Sequence, residues 1–407
     1  MTSMRTAAAS DDDTGRALAA LDVQLEGANA HCVFVFYGCR HDDARIHAWL
    51  KTRFPGAAVI GGTSCNGFMT ETGVWDGASI GLLLIDDASG DYGAAAGVLG
   101  EHPANTAERL LREALSVCGC DGQLPELIWI YQEPGSEEMT MEGLRRIVGD
   151  RCPIIGGSSA DDDVSGNWRQ MGPGGVLRGG MVVGVLFPSG SSGYAFQGGY
   201  EPAGPSGIVT GVGFRPAGDS GIVTGSAGRE LMTIDGQPAA EVYRRWTGNI
   251  IDADKLSEGG TILAETTMFP IAVDAGRVDG VTHYLLVHPE SITRNGTLKT
   301  FCELQEGSRV FAMKGDRQRL VDRAGRVADQ ARRALPVGSG RLAGALLVYC
   351  GGCKMAVGDD IGKVAATVSQ QLDGAPFIGC FTFGEQGHLI NRNVHGNLMI
   401  SAVALGS

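Results

Sequence analysis

Cys350-Gly351-Gly352-Cys353 is the segment of this 407-residue chain whose residue types and spacing are best suited to chemistry. Two thiols two residues apart supply half of a tetrahedral zinc site, and Cys380 could add a third thiolate. No second Cys-x-x-Cys supplies the other half. A thioredoxin-like dithiol, or two buried thiols with no role, explains the pair as well. Gly61-Gly62-Thr63-Ser64 and Gly156-Gly157-Ser158-Ser159 form a second group of candidates. As turns they would present backbone N–H groups and hydroxyls to a carboxylate or phosphate, with Gly61, Gly62, Ser64, Gly156, Gly157 and Ser159 as the contacts. Glycine demanded by packing at a strand corner is the plainer explanation. Neither segment has the P-loop or the Gly-x-Gly-x-x-Gly pattern. Glu385 is a further polar candidate, as a ligand contact, an acid or base, or simply a turn carboxylate. Catalysis by Ser64 or Ser159 would need a base and an oxyanion hole, and no Gly-x-Ser-x-Gly elbow is present, so an enzyme is not expected.

The two glycine corners and Cys380 fall at equivalent places in a repeated unit, and Cys350–Cys353 follows the first strand of its third copy, which fixes the elements that must position them. Val33–Tyr37, Leu127–Tyr131 and Leu346–Tyr349 are apolar runs that read as strands. A polar loop follows each, then a helical stripe: Ile46, Trp49, Leu50 and Phe54; Met141, Leu144 and Val148; Ile361, Val364, Val368 and Leu372. A second apolar run, a glycine or Gly-Cys corner and a third strand close each copy, the third strands being Ser79–Leu84, Val182–Phe187 and Leu398–Val403. The spacing predicts an α/β fold of duplicated strand-loop-helix-strand-strand units in mixed sheets covered by helices, as two similar domains. Two copies precede residue 190 and one follows 340, which suggests a C-terminal domain whose first unit has diverged. The expected division is a polar tail and first helix over 1–28, an N-terminal domain over 29–190, a Gly/Pro/Ser-rich connector over 191–228 and a C-terminal domain over 229–407. Within the connector, Pro202–Gly211 recurs as Pro216–Gly225 and reads as a β-meander or hairpin pair.

Composition bounds the partners. Lys and Arg number 33 against 46 Asp and Glu, a net charge of −13, which argues against a general nucleic-acid binder and toward a protein partner. Hydrophobic residues at 43% are enough for a large core, and the 63 glycines lack a G-X-Y period. No apolar run is long enough to span a bilayer and the first residues do not resemble a secretory signal, so a cytoplasmic protein with ten mostly reduced cysteines is expected.

Tyr284-Leu285-Leu286-Val287-His288-Pro289, Tyr349–Cys353, Phe381-Thr382-Phe383-Gly384-Glu385-Gln386-Gly387 and His395-Gly396-Asn397-Leu398-Met399-Ile400-Ser401 resemble the C-terminal half of the FIST family. Ile60–Ser64 and Ile155–Asp162 resemble its N-terminal half, so the likeness runs from about residue 30 to 405. The Phe381–Gly387 and His395–Met399 blocks are most similar to the stand-alone nitric-oxide-sensing haemoprotein branch. That resemblance implies a bacterial sensor that binds haem b and regulates a separate histidine kinase or cyclic-di-GMP enzyme, with a homodimer as one possible state. A haem of this type needs an axial ligand, most often an imidazole. His395 is the first candidate and His288 the second, a structural imidazole being the alternative for each. Lys354 follows Cys353 where a covalent c-type attachment needs histidine. A binding module for a small metabolite such as an amino acid, centred on the two glycine corners, and a zinc or redox switch at Cys350, Cys353 and Cys380 are the alternatives.

Overall fold

Phe34 and Phe36 point to one face of their strand, Val33, Val35 and Tyr37 to the other, and all five are buried. A strand buried on both faces reads as a continuous apolar run, and the three runs form interior strands of three sheets. The computed structural model describes residues 1–202, 219–278 and 280–407.

The first unit is β1 (Ser3–Ser10), α1 (Thr14–Gln24), β2 (Cys32–Tyr37), α2 (Asp43–Arg53), β3 (Ala58–Thr63), β4 (Phe68–Thr70), β5 (Gly73–Trp75) and β6 (Ser79–Asp86). The second repeats it as β7 (Asp91–Val98), α3 (Pro103–Val117), β8 (Leu127–Gln132), α4 (Glu137–Val148), β9 (Ile154–Ser158), β10 (Gln170–Gly172), β11 (Gly175–Leu177) and β12 (Gly180–Phe187). The third opens with β13 (Ser192–Gly198) and is then interrupted.

The interruption holds a ten-stranded antiparallel sheet. Its members are β14 (Tyr200–Pro202), β15 (Ser220–Ala227), β16 (Glu230–Ile234), β17 (Gln237–Pro238), β18 (Gly260–Thr261), β19 (Ile271–Val278), β20 (Val281–Val287), β21 (Pro289–Ile292), β22 (Leu298–Thr300) and β23 (Arg309–Gly315). Short helices α5 (Ala239–Trp246), α6 (Ala253–Glu258) and α7 (Leu263–Thr266) accompany it, with Tyr243 of α5 in its core. The third unit then resumes as α8 (Arg317–Arg333), β24 (Leu342–Cys350), α9 (Gly351–Val357), α10 (Ile361–Gln371), β25 (Phe377–Thr382), β26 (Glu385–Leu389), β27 (Arg392–Gly396) and β28 (Met399–Gly406).

All three units share one strand order, β1-β6-β2-β3, β7-β12-β8-β9 and β13-β28-β24-β25. The pairs β2/β3, β8/β9 and β24/β25 run parallel across a helical crossover, and the closing strand of each unit pairs antiparallel, so the sheets are mixed. Each unit also lends its hairpin to another unit's sheet. Gln170 of β10 pairs with Gly62 of β3, Glu385 of β26 with Gly157 of β9, and Phe68 of β4 with Cys380 of β25. A ring of backbone hydrogen bonds repeats that circle: Ala160 N–H donates to Thr63 O (3.3 Å), Phe383 N–H to Ser158 O (3.1 Å) and Cys65 N–H to Phe381 O (3.0 Å). The inner faces of the sheets meet in one core, where Phe34 packs edge-on to Trp129 at 5.4 Å, and helices cover the outer faces.

Several expectations change here. Residues 3–10 are not a polar tail but an edge strand paired with β6. Their small residues, Thr6-Ala7-Ala8-Ala9, carry too weak a hydrophobic alternation to read as a strand. The connector over 191–228 begins with β13, which pairs with β28 and opens the third unit. Most of the first tandem copy and the start of the second lie outside the described residues. No fourth strand–helix unit precedes β24 among the described residues; the ten-stranded sheet stands there instead. The glycine corners are not turns. Gly61, Gly62, Gly156 and Gly157 are within β3 and β9, where the neighbouring strand crowds them. A Cβ on Gly61 would lie 1.8 Å from Val35 O, and one on Gly156 1.9 Å from Ile130 O.

Candidate functional site

The inserted sheet leans on the three-unit body and encloses a cavity of about 420 Å³ between them. Trp168 and Phe383 from the body and Phe301 from the insertion give it apolar walls, and Arg229, His288 and Asn397 give it polar ones. Trp168 and Phe383 meet edge to face at 5.9 Å. Ligand pockets commonly combine apolar walls with a few convergent polar groups in this way.

One side of the cavity is built on the N-terminus of α4. Glu137 and Glu138 occupy its first turn, where the helix dipole favours carboxylates. Glu137 Oε1 accepts from Ser158 Oγ at 2.6 Å, and its Oε2 accepts from Gly135 N–H at 2.9 Å and from Arg229 at 2.6 Å. Glu138 accepts from Arg229 at 2.5 Å on Oε2, and its Oε1 lies 3.1 Å from His395 Nδ1. Burial alone would raise the Glu138 carboxyl, but His395 and Arg229 hold it well below the ordinary range. Burial would lower the His395 imidazole, but Cys302, Glu137 and Glu138 beside it outweigh burial and hold it charged, well above its usual value. Cys302 lies against the same ring, Sγ to Nδ1 3.6 Å, and burial pushes its thiol up, so it stays protonated near neutrality.

His288 also lines the cavity. Its Nε2 lies 3.0 Å from Thr266 Oγ1, and burial lowers its pKa to about 4, leaving a neutral ring. Asn397 Oδ1 accepts from His288 N–H at 3.3 Å and lies 2.9 Å from Cys302 Sγ. Asn397 Nδ2 is buried with no hydrogen-bond partner. A buried donor without a partner carries a desolvation cost.

The residues singled out from sequence are distributed unevenly around this cavity. His288 and Cys350 line it. His395 does not; its ring lies behind the wall, on Glu138. Cys350 and Cys353 share the outer core of the third unit, and Tyr200 OH lies 3.6 Å from Cys353 Sγ. Cys380 is on the other face of the sheet, in the central core, so it does not join them as a third thiolate. Gly61, Gly62, Gly156 and Gly157 lie away from the cavity, as do Ser64 and Ser159, whose hydroxyls are already used. Ser64 Oγ donates to Gly67 O at 2.5 Å and accepts from Phe381 N–H at 2.8 Å; Ser159 Oγ donates to Gln132 O at 3.0 Å and accepts from Gln170 Nε2 at 2.6 Å. Glu385 is buried beneath the site, accepting from Thr382 Oγ1 at 2.8 Å and Met399 N–H at 3.1 Å, and burial raises its pKa well above the usual range.

Sequence reasoning missed Glu137, Glu138, Arg229, Cys302 and the cavity side of Asn397. Asn397 was within reach, two residues beyond His395 in the same block. Cys302 has no spacing partner in the sequence, and Arg229 meets the glutamates only through the fold.

A cavity walled by both halves of an α/β chain defines a ligand-binding protein. Family profiles identify which one: the FIST N domain matches residues 31–213 and the FIST C domain residues 239–388, and the chain belongs to the FIST family. FIST domains are sensory ligand-binding modules of signal transduction. No curated protein matches the chain. Eleven chains of solved structure match it. One is the cyanuric acid hydrolase from A. caulinodans, with 9% identity over 100% of both chains and a TM-score of 0.38, a likeness too distant to bear on function. Among the described residues, no helix is long and apolar enough to cross a membrane.

Proposed function

We propose that this protein is a cytoplasmic sensor that binds a small amphipathic metabolite, of amino-acid size and bearing a carboxylate or carbonyl, in the cavity between its body and inserted sheet. The observation that carries this reading is the cavity itself, where the aromatic side chains of Trp168, Phe301 and Phe383 converge with the polar Arg229, His288 and Asn397. The polar residues would meet the ligand's polar end, while Trp168, Phe301 and Phe383 would enclose the apolar part. A volume of about 420 Å³ stands toward the lower end of the roughly 300–1,000 Å³ range of ligand pockets, which suits a metabolite better than a macrocycle. Because both halves wall the cavity, occupancy would bias their relative arrangement, and a histidine kinase or cyclic-di-GMP enzyme in trans would read the change. A thermal-shift screen of the metal-free, haem-free protein against amino acids and related carboxylates tests this. Saturable stabilisation by one chemical class is expected, and a flat response across the panel overturns it.

Haem b is a second reading, favoured by one observation: His288 is a neutral imidazole on the wall of a cavity that also holds Trp168, Phe301 and Phe383. Axial ligation through its Nε2 would exchange the Thr266 hydrogen bond for iron. His395 fits that role poorly, with Nδ1 on Glu138 and the ring outside the cavity. Nitric oxide as the sensed ligand rests on this haem. Hemin titration of wild type, His288→Ala and His395→Ala decides it: a Soret band lost only in His288→Ala supports the reading, and no band in wild type removes it.

A further inference from the structure

We propose that Glu138, Cys302 and His395 form a zinc-binding site in the wall behind the cavity. Among the described residues they are the one group of three potential ligands whose donor atoms all lie within 4.8 Å of one another. Their separations fit a common ion. Zinc bonds of about 2.3 Å to sulfur and about 2.0–2.1 Å to nitrogen or oxygen, at tetrahedral angles, place S and N about 3.5 Å apart and N and O about 3.3 Å apart. Cys302 Sγ is 3.6 Å from His395 Nδ1, which is 3.1 Å from Glu138 Oε1.

The ligand set suits zinc, a borderline ion that accepts thiolate, imidazole and carboxylate together. Charge balance holds as well. Two anionic ligands, the Cys302 thiolate and the Glu138 carboxylate, meet the two charges of the ion, while Arg229 is matched by Glu137. On binding, the Cys302 thiol and the Nδ1 of the charged His395 ring each release a proton to solvent, so that a thiolate and a neutral imidazole ligate the ion. The second shell is in place: Arg229 holds Glu138 Oε2, Glu303 N–H donates to Glu138 Oε1 at 3.1 Å, and Asn397 lies against Cys302. Three protein ligands leave the fourth position to water. The ligands come from α4 of the second unit, the turn after β22 of the inserted sheet and β27 of the third unit, so one ion would tie the insertion to the body from both sides. This site is independent of the cavity ligand.

Zinc alone is the probe. The full chain, stripped with chelator and titrated with zinc in competition with a chromophoric chelator, is expected to take up one ion. Cys302→Ser and His395→Gln should each weaken uptake at least about a hundredfold, and Glu138→Gln about tenfold, these ligands being the coordinating shell. A Cys350→Ala/Cys353→Ala double variant should keep the ion. Should Cys302→Ser not fold, cobalt substitution in wild type reads the thiolate directly, through a sulfur-to-metal charge-transfer band in the near ultraviolet. Absence of stoichiometric zinc, absence of that band, or zinc kept by folded Cys302→Ser and lost with Cys350 and Cys353, overturns the proposal.

Discussion

Arg229 donates to Glu137 Oε2 at 2.6 Å, joining the inserted sheet to the first turn of α4. The same nitrogen serves Glu138, so one guanidinium neutralises two carboxylates at a half-buried junction. Removing one partner of such a group leaves charge that the site cannot solvate. Arg229→Met should lower stability by about 2–3 kcal/mol, and adding Glu137→Gln should return part of the loss. Urea unfolding of the two variants measures this. An unchanged midpoint in Arg229→Met would mean that the junction does not depend on the pair.

Gly156 is expected to be intolerant for reasons of packing rather than binding. Any Cβ there meets Ile130 O at 1.9 Å, a backbone atom held in the parallel pairing of β8 and β9. Gly156→Ala should therefore cost about 3 kcal/mol or more by forcing strands apart. Gly100→Ala is the control, since nothing lies within 4 Å of its added Cβ and only its positive φ opposes alanine, at about 1 kcal/mol. Comparable melting temperatures for the two variants would contradict this account.

The repeated strand–helix–strand core was legible because strands buried on both faces leave unbroken runs such as Val33–Tyr37, and helices on the outer faces leave stripes such as Ile46 and Leu50. The lent hairpins were not. β4 and β5 are three residues each, too short for a period, and β25, the strand that β4 joins, is about three hundred residues away in sequence. Glycines at 61 and 156 were visible, but a strand interior and a ligand turn demand the same residue, and only the fold distinguishes them. The site was the least legible part. His288 and Asn397 come from distant segments and meet through one backbone hydrogen bond, while His395, the more conspicuous histidine, faces Glu138 instead.

Asn397→Asp separates ligand recognition from folding. The substitution keeps an acceptor oxygen for His288 N–H but places a negative charge in a residue that lines the cavity. A ligand carboxylate would then meet a like charge, a loss of about 2 kcal/mol or some thirtyfold in affinity. Isothermal titration with the ligand found by the thermal-shift screen measures the change. Equal affinity in wild type and variant would place the ligand's acceptor elsewhere.

His288 and Asp87 should each contribute a loss of stability on acidification, over separate pH ranges. Burial lowers His288 from 6.5 to about 4, so between those values the unfolded chain binds the proton that the folded chain refuses, and its contribution drops as pH falls, opposed over the same range by the raised carboxyl of buried Glu385. Asp87 acts lower. Burial alone would raise its carboxyl, but hydrogen bonds from Ser189, Tyr92 and Thr2 bring it from 3.8 to about 2. Its contribution is complete above the unfolded value and is lost as pH falls from 3.8 toward 2. Asp87→Asn should therefore be less stable than wild type at pH 7, by about 2 kcal/mol, with the gap closing below pH 3. His288→Gln lacks the histidine's contribution, so its stability relative to wild type should rise as pH falls from 6.5 toward 4, with the Asp87 range left in place. Unfolding midpoints from pH 7 to pH 2 read both ranges. A His288→Gln profile parallel to wild type between pH 6.5 and 4 would show that His288 is not held neutral by its burial.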